Sequence, residues 1–108
     1  MTVNDLLTCG FKPIAIAEGD REINGVYIGD LLSWVMGRAQ ADNAWITIMS
    51  NINILAVASL ADTACIILAE GVEEPEDVIK TALAKGVNIV SSQSPAYEIA
   101  CELYEKLK

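Results

Sequence analysis

Three short apolar runs constrain this chain more than any other feature. Trp45-Ile46-Thr47-Ile48-Met49, Ala64-Cys65-Ile66-Ile67-Leu68 and Val87-Asn88-Ile89-Val90 each have strand length, and each is followed by a polar loop and a helix-length segment. β-Branched residues dominate the runs, which suits a pleated surface. The middle run carries no polar residue, as a strand covered on both faces requires. Strand and helix alternating in this way point to a parallel sheet with right-handed crossovers.

The segments between the runs carry helix punctuation. Ile54 to Leu60 is rich in Ala and Ser and packs closely. Pro75 opens a helix that runs to Lys85, and Gly86 closes it. Ser94 is the expected cap of a last helix, with Pro95 at its first position and an end near Leu107. The first half is less regular. Thr2 caps a short helix, Asp5 lies three residues later, and Gly10 supplies the stop. Pro13 to Ala17 reads as a strand, and Pro13 places it at a sheet edge because it lacks an N–H. Asn24-Gly25 is a turn before a short strand, Val26 to Ile28. Asp30 is the expected cap of the next helix, whose apolar face is Leu31, Leu32, Val35 and Met36. With 108 residues and no linker or repeat, residues 1–108 form one domain. The expected class is a single α/β domain with a mixed sheet and a parallel βαβαβ C-terminal part.

Composition narrows the chemistry. There is no His, so no Ser-His-Asp triad, Cys-His pair or imidazole zinc site exists. Cys9, Cys65 and Cys101 lie too far apart for a Cys-x-x-Cys motif. Cys65 and Cys101 sit in apolar runs and read as buried. No Gly-Lys-Ser/Thr phosphate loop is present. We therefore expect no cofactor and no enzyme activity. A net charge of −8 argues against nucleic acid and against anionic membranes as partners. Met1 to Gly10 has no basic residue of the kind that opens a signal peptide. The apolar run Ile52 to Ala61 is far shorter than the ~20 residues of a membrane span. An odd number of free thiols fits a reducing compartment, so the expected location is the cytoplasm.

Several residues remain as site candidates. Asp20-Arg21 suits a salt bridge, within the chain or across a subunit interface, or a bidentate grip on an anionic ligand. In a parallel α/β sheet, ligands sit beyond the carboxyl ends of the strands. Met49 to Asn53, Ala69 to Gly71 and Ser91 to Ser94 lie at such ends, which makes Asn51, Asn53, Ser91 and Ser92 candidate donors to a small anionic ligand. The same residue types also serve as ordinary helix caps. Glu70, Glu73, Glu74, Glu76 and Asp77 cluster without the spacing of a calcium loop, and no metal is expected there. Trp34 falls out of phase with the apolar face of its helix and is a candidate interface residue. A homodimer, with room for a further protein partner, is the expected assembly.

The segment Gly19-Asp20-Arg21-Glu22-Ile23-Asn24-Gly25-Val26-Tyr27-Ile28-Gly29-Asp30-Leu31-Leu32 resembles the stretch that characterises DRTGG domains. Trp45 to Ile48, Ile54 to Leu60, Ala64 to Gly71 and the C-terminal Ser-Pro-Ala-Tyr-Glu-Ile-Ala continue the resemblance over almost the whole chain. Asp20-Arg21 matches the family's motif, whereas Glu22-Ile23-Asn24-Gly25 stands where Thr-Gly-Gly is usual. The family resembles the N-terminal domain of HPr kinase/phosphorylase. The resemblance implies a mixed-sheet α/β fold and a regulatory or dimerising module, without the kinase's separate phosphate-binding domain. Its relatives occur beside CBS domains in some inorganic pyrophosphatases and in some phosphotransacetylases.

Overall fold

The computed structural model describes residues 1–108 as five helices and five strands in the order α1 (Val3–Thr8), β1 (Lys12–Ala15), β2 (Gly25–Ile28), α2 (Leu32–Arg38), β3 (Asn43–Thr47), α3 (Asn53–Ala61), β4 (Cys65–Leu68), α4 (Glu76–Lys85), β5 (Ile89–Ser91) and α5 (Ala96–Leu107). The strands form one sheet in the order β1-β5-β4-β3-β2. β2, β3, β4 and β5 are parallel, and β1 joins β5 antiparallel at the edge. This is the mixed sheet with a parallel C-terminal part that the alternation of runs predicts.

Strand periodicity divides the interior in two. Ala44, Ile46, Cys65, Ile67 and Val90 point to one face and meet Val3 and Leu6 of α1 with Ile99 and Leu103 of α5. Trp45, Ile66, Leu68 and Ile89 point to the other and meet Val35 of α2, four residues of α3, and Val78 and Ala82 of α4. Successive side chains on a strand alternate faces, so an unbroken apolar run feeds both cores at once. The result is a three-layer α/β/α sandwich with two helices on one side and three on the other.

Local signals hold where they are local. Thr2 Oγ1 accepts from the Asp5 N–H, and the Asp5 carboxylate accepts from the Thr2 N–H, completing the capping box. Gly10 has φ of +97°, as the left-handed stop requires. Pro13 sits on an edge strand, and the β1 register with β5 is irregular between Pro13 and Ala15. Other expectations shift. β3 starts at Asn43 rather than Trp45, because Gly25 and Asn43 are already paired. It ends at Thr47, whose hydroxyl accepts from the Met49 N–H. Asp30 does not cap α2. The helix starts after Leu31 without a side-chain cap, and the Asp30 carboxylate instead accepts from the Thr47 hydroxyl at 2.8 Å and the Ile48 N–H at 3.0 Å. Ser94 likewise gives no side-chain cap, and Pro95 occupies the cap position of α5. Cys65 is buried as expected, but Cys101 is exposed, because α5 turns the phase of Ile99 and Leu103 inward and leaves Cys101 outside it.

Asn88, just before β5, is a buried tie that local pattern does not reveal. Its Oδ1 accepts from the Ala17 N–H at 2.9 Å and the Glu18 N–H at 2.8 Å. Its amide nitrogen donates to the Glu18 and Ala64 carbonyls. One side chain thus joins the exit of β1 to the start of β4. Truncating it strands several buried backbone groups, so Asn88→Ala is expected to cost about 3 kcal/mol. The shift of the urea midpoint, at unchanged slope, measures it.

Candidate functional site

The sheet has two ends, and the candidate residues divide between them. Asp20 and Arg21 lie at the end where the parallel strands begin. Asn51, Asn53, Ser91 and Ser92 lie at the end where they finish. β3 and β4 are five and four residues long at ~3.3 Å per residue, so about 15 Å of sheet separates the two groups. No single ligand of metabolite size touches both.

At the first end, Arg21 is an internal clip. Its Nε and Nη2 donate to Asp42 Oδ1 at 3.2 and 3.0 Å. Nη2 also donates to the Asp62 carbonyl at 2.7 Å and to Asp62 Oδ1 at 2.8 Å. Partial burial opposes the charge, but the hydrogen bonds to Asp62 and then Asp42 outweigh it and raise the guanidinium's pKa. Asp42 and Asp62 stand immediately before or near the starts of β3 and β4, both with φ in the left-handed region, at 68° and 59°. One planar fork therefore fixes two strained loops at once. Of the readings open for Asp20-Arg21, the geometry realises the salt bridge within the chain. Asp20 itself is exposed and accepts only a long hydrogen bond, 3.3 Å, from Asn4. An ammonium cannot reproduce the fork. Arg21→Lys is expected to lower stability by about 2 kcal/mol, read from chemical denaturation.

A small polar cavity of about 210 Å³ adjoins the clip, between the ends of α3 and α4, with Thr63 and Lys85 on its wall. The Thr63 hydroxyl is buried without a partner.

At the other end, polar atoms are spent on the backbone. Asn51 Oδ1 accepts from the Asn53 N–H at 2.9 Å and starts α3. Ser92 Oγ accepts from the Ser94 N–H at 3.1 Å. Ser91 is buried within β5, between Lys12 and Leu68. Asn51 and Asn53 are exposed, but β4 lies between their loop and that of Ser91 and Ser92, about 10 Å apart. α4 and α5 leave the sheet on opposite faces, so the crevice of a topological switch falls between β4 and β5. Two hydrogen bonds bridge it: the Glu70 N–H to the Ser94 carbonyl and the Gly71 N–H to the Ser92 carbonyl, both 2.9 Å.

Glu74, on the loop beside that crevice, was not singled out from its acidic neighbours by sequence. Both its carboxylate oxygens are buried without a hydrogen-bond partner. Burial alone pushes its pKa up to about 7 from an ordinary 4.5. No group of three or more acidic, Cys or His side chains lies close enough to hold a metal. The Glu74 carboxyl holds its proton more tightly folded than unfolded. The fold therefore loses stability as pH rises from about 4.5 through about 7. Glu74→Gln removes that loss. The variant's melting temperature is expected to gain on the parent chain's across this window and to keep a constant lead above it.

The large apolar side chains at this end are not spent. Ile28, Leu31, Ile48 and Ile52 follow the carboxyl ends of β2 and β3, and all are about half exposed. Trp34, on α2, is 53% exposed, with the Arg38 guanidinium stacked 3.8 Å from its ring centre.

No family model matches the chain, and no curated protein matches it. Among solved structures, the fold is similar to that of the CBS and DRTGG domains of the regulatory region of Clostridium perfringens pyrophosphatase, complexed with its activator, diadenosine tetraphosphate. The TM-score is 0.68 at 15% identity, over 93% of this chain and 44% of that one. The likeness is one of fold: a single α/β domain with a five-stranded mixed sheet, of DRTGG-like architecture. This chain spans less than half the length of the pyrophosphatase region. No helix is long and apolar enough to cross a membrane.

Proposed function

We propose that this chain is a non-catalytic regulatory module of the DRTGG type, with the resemblance to the N-terminal domain of HPr kinase/phosphorylase noted above, that works in the cytoplasm by associating with itself and with a protein partner. One observation carries this reading. At the end of the sheet where α/β enzymes keep their reacting groups, the polar side chains hold loops and helix starts, and apolar side chains face solvent. Ile28, Leu31, Ile48 and Ile52, with Trp34 near them in sequence, suit contact with another protein rather than turnover of a polar substrate. The similar fold in a pyrophosphatase's regulatory region supports the same assignment. Sedimentation equilibrium at micromolar concentration is expected to show a dimer. A monomer throughout that range would remove self-association from the account.

A second reading follows from the activator in the similar structure. The start of α3, with the Asn51 and Asn53 side-chain amides exposed as donors, suits an anionic group such as a nucleotide phosphate. A thermal-shift panel of diadenosine tetraphosphate, ATP and inorganic phosphate tests it. A ligand at a hundred times its dissociation constant adds about 2.7 kcal/mol, a rise on the order of 10 °C for a domain of this size. An unmoved midpoint across the panel counts against this reading and leaves association standing.

A further inference from the structure

We infer that the open edge of β2, together with the exposed stripe of α5 beside it, is the surface on which a second copy of this chain docks. This rests on the self-association proposed above and assigns it a place. The sheet has two edges, and they are built differently. β1 carries Lys12, the N–H-free Pro13 and an irregular register, all of which discourage a further strand. β2, Gly25-Val26-Tyr27-Ile28, has no proline, no charge and an even register with β3. The Asn24 N–H donates to the Asp42 carbonyl, so strand alternation turns the N–H and C=O groups of Gly25 and Tyr27 away from the sheet. They are a ready template for another strand.

α5 stands over β2 and β3 and buries Ile99 and Leu103 toward them. Its outer stripe is Tyr97, Cys101, Tyr104 and Lys108, at helical spacing; Tyr97 is 77% and Tyr104 67% exposed. This stripe and β2 line an apolar groove of about 840 Å³, against about 210 Å³ for the polar cavity beside Arg21.

Charge selects the occupant. The chain carries −8, so most of its faces repel a second copy. Of the twelve residues lining this groove, only Glu105 and Lys108 are charged, and they pair with each other at 3.6 Å. The groove wall is therefore neutral, and two such walls meet without net repulsion. The stripe is also self-complementary. Its four positions are symmetric about one point between Cys101 and Tyr104. Antiparallel packing across a two-fold axis sets Cys101 against the partner's Tyr104, and Tyr97 against the partner's Lys108. Within one chain Lys108 already lies 5.9 Å from the Tyr104 ring, the same cation–aromatic chemistry. The two-fold that pairs the helices also pairs the β2 edges antiparallel about Val26, which extends the sheet from five strands to ten.

The test is sedimentation of the whole chain and three variants, each checked for its fold by circular dichroism. Tyr104→Glu and Cys101→Arg are expected to weaken the dimer by roughly tenfold or more. Trp34→Glu probes the other exposed apolar surface, and a dimer that resists it while yielding to both α5 changes supports the assignment. A dimer that survives both α5 changes but dissociates on Trp34→Glu overturns this assignment and keeps the self-association reading. A parent chain that never dimerises overturns both. A crosslinking measurement covers the case in which an α5 variant fails to fold. In a Cys9→Ser background, a short bis-maleimide is expected to join two copies through Cys101, because Cys65 is fully buried with its pKa pushed up to about 12. A dimer that forms in solution without yielding this crosslink rules the surface out.

Discussion

All four residues of β4 are buried, and alternate side chains feed opposite cores. The rest of the architecture follows from that condition. A strand hidden on both faces needs a layer of helix on each, and it needs a hydrogen-bonded neighbour on each side. β3 and β5 supply the neighbours, and the crossover helices α3 and α4 supply one layer. The opposite layer has no crossover to draw on. It is filled from the two ends of the chain, by α1 and α5. The two ends of the chain thus cover the face that the crossover helices leave bare.

Sequence describes well what is set over short range. Apolar runs and helix punctuation are short-range signals, so the strand and helix order, the edge placement of Pro13 and the Thr2–Asp5 box are all legible. Long-range polar ties are not. Arg21 finds partners 21 and 41 residues away, and Asn88 reaches back about 70 residues to Ala17 and Glu18. Nothing near Arg21 distinguishes an internal clip from a ligand grip. Asp30 shows the same limit in miniature. Its position before an apolar helix has the look of a cap, yet Thr47 lies close in space and competes successfully for the carboxylate. Cys101 departs from expectation for a different reason: an apolar neighbourhood in sequence does not fix a helical phase, and α5 points it outward.

The candidate site was legible only in part. Strand ends can be located from sequence, and with them the loops of Asn51 and Ser92. Which atoms remain free there is a matter of hydrogen bonding between loops, and the bridge from Glu70 and Gly71 to Ser94 and Ser92 joins segments that sequence treats as separate. Glu74 is one of five acids in eight residues, and only packing sets it apart from the others. At this end of the sheet polar side chains are tied to the backbone while large apolar ones stand exposed.

The strand order has a consequence for how the molecule is made. β1 is the first strand in sequence, but its only partner is β5, the last. A nascent chain that has emerged from the ribosome only as far as β4 can pair β2, β3 and β4, in sequence order, by crossovers of ordinary length. Throughout that interval β1 has no ladder to join, and Asn88, which ties down its exit, has not yet emerged. The N-terminal strand waits on residues translated some seventy codons later, so closure of the domain is a late event of synthesis even though its first helix is among the earliest segments to appear.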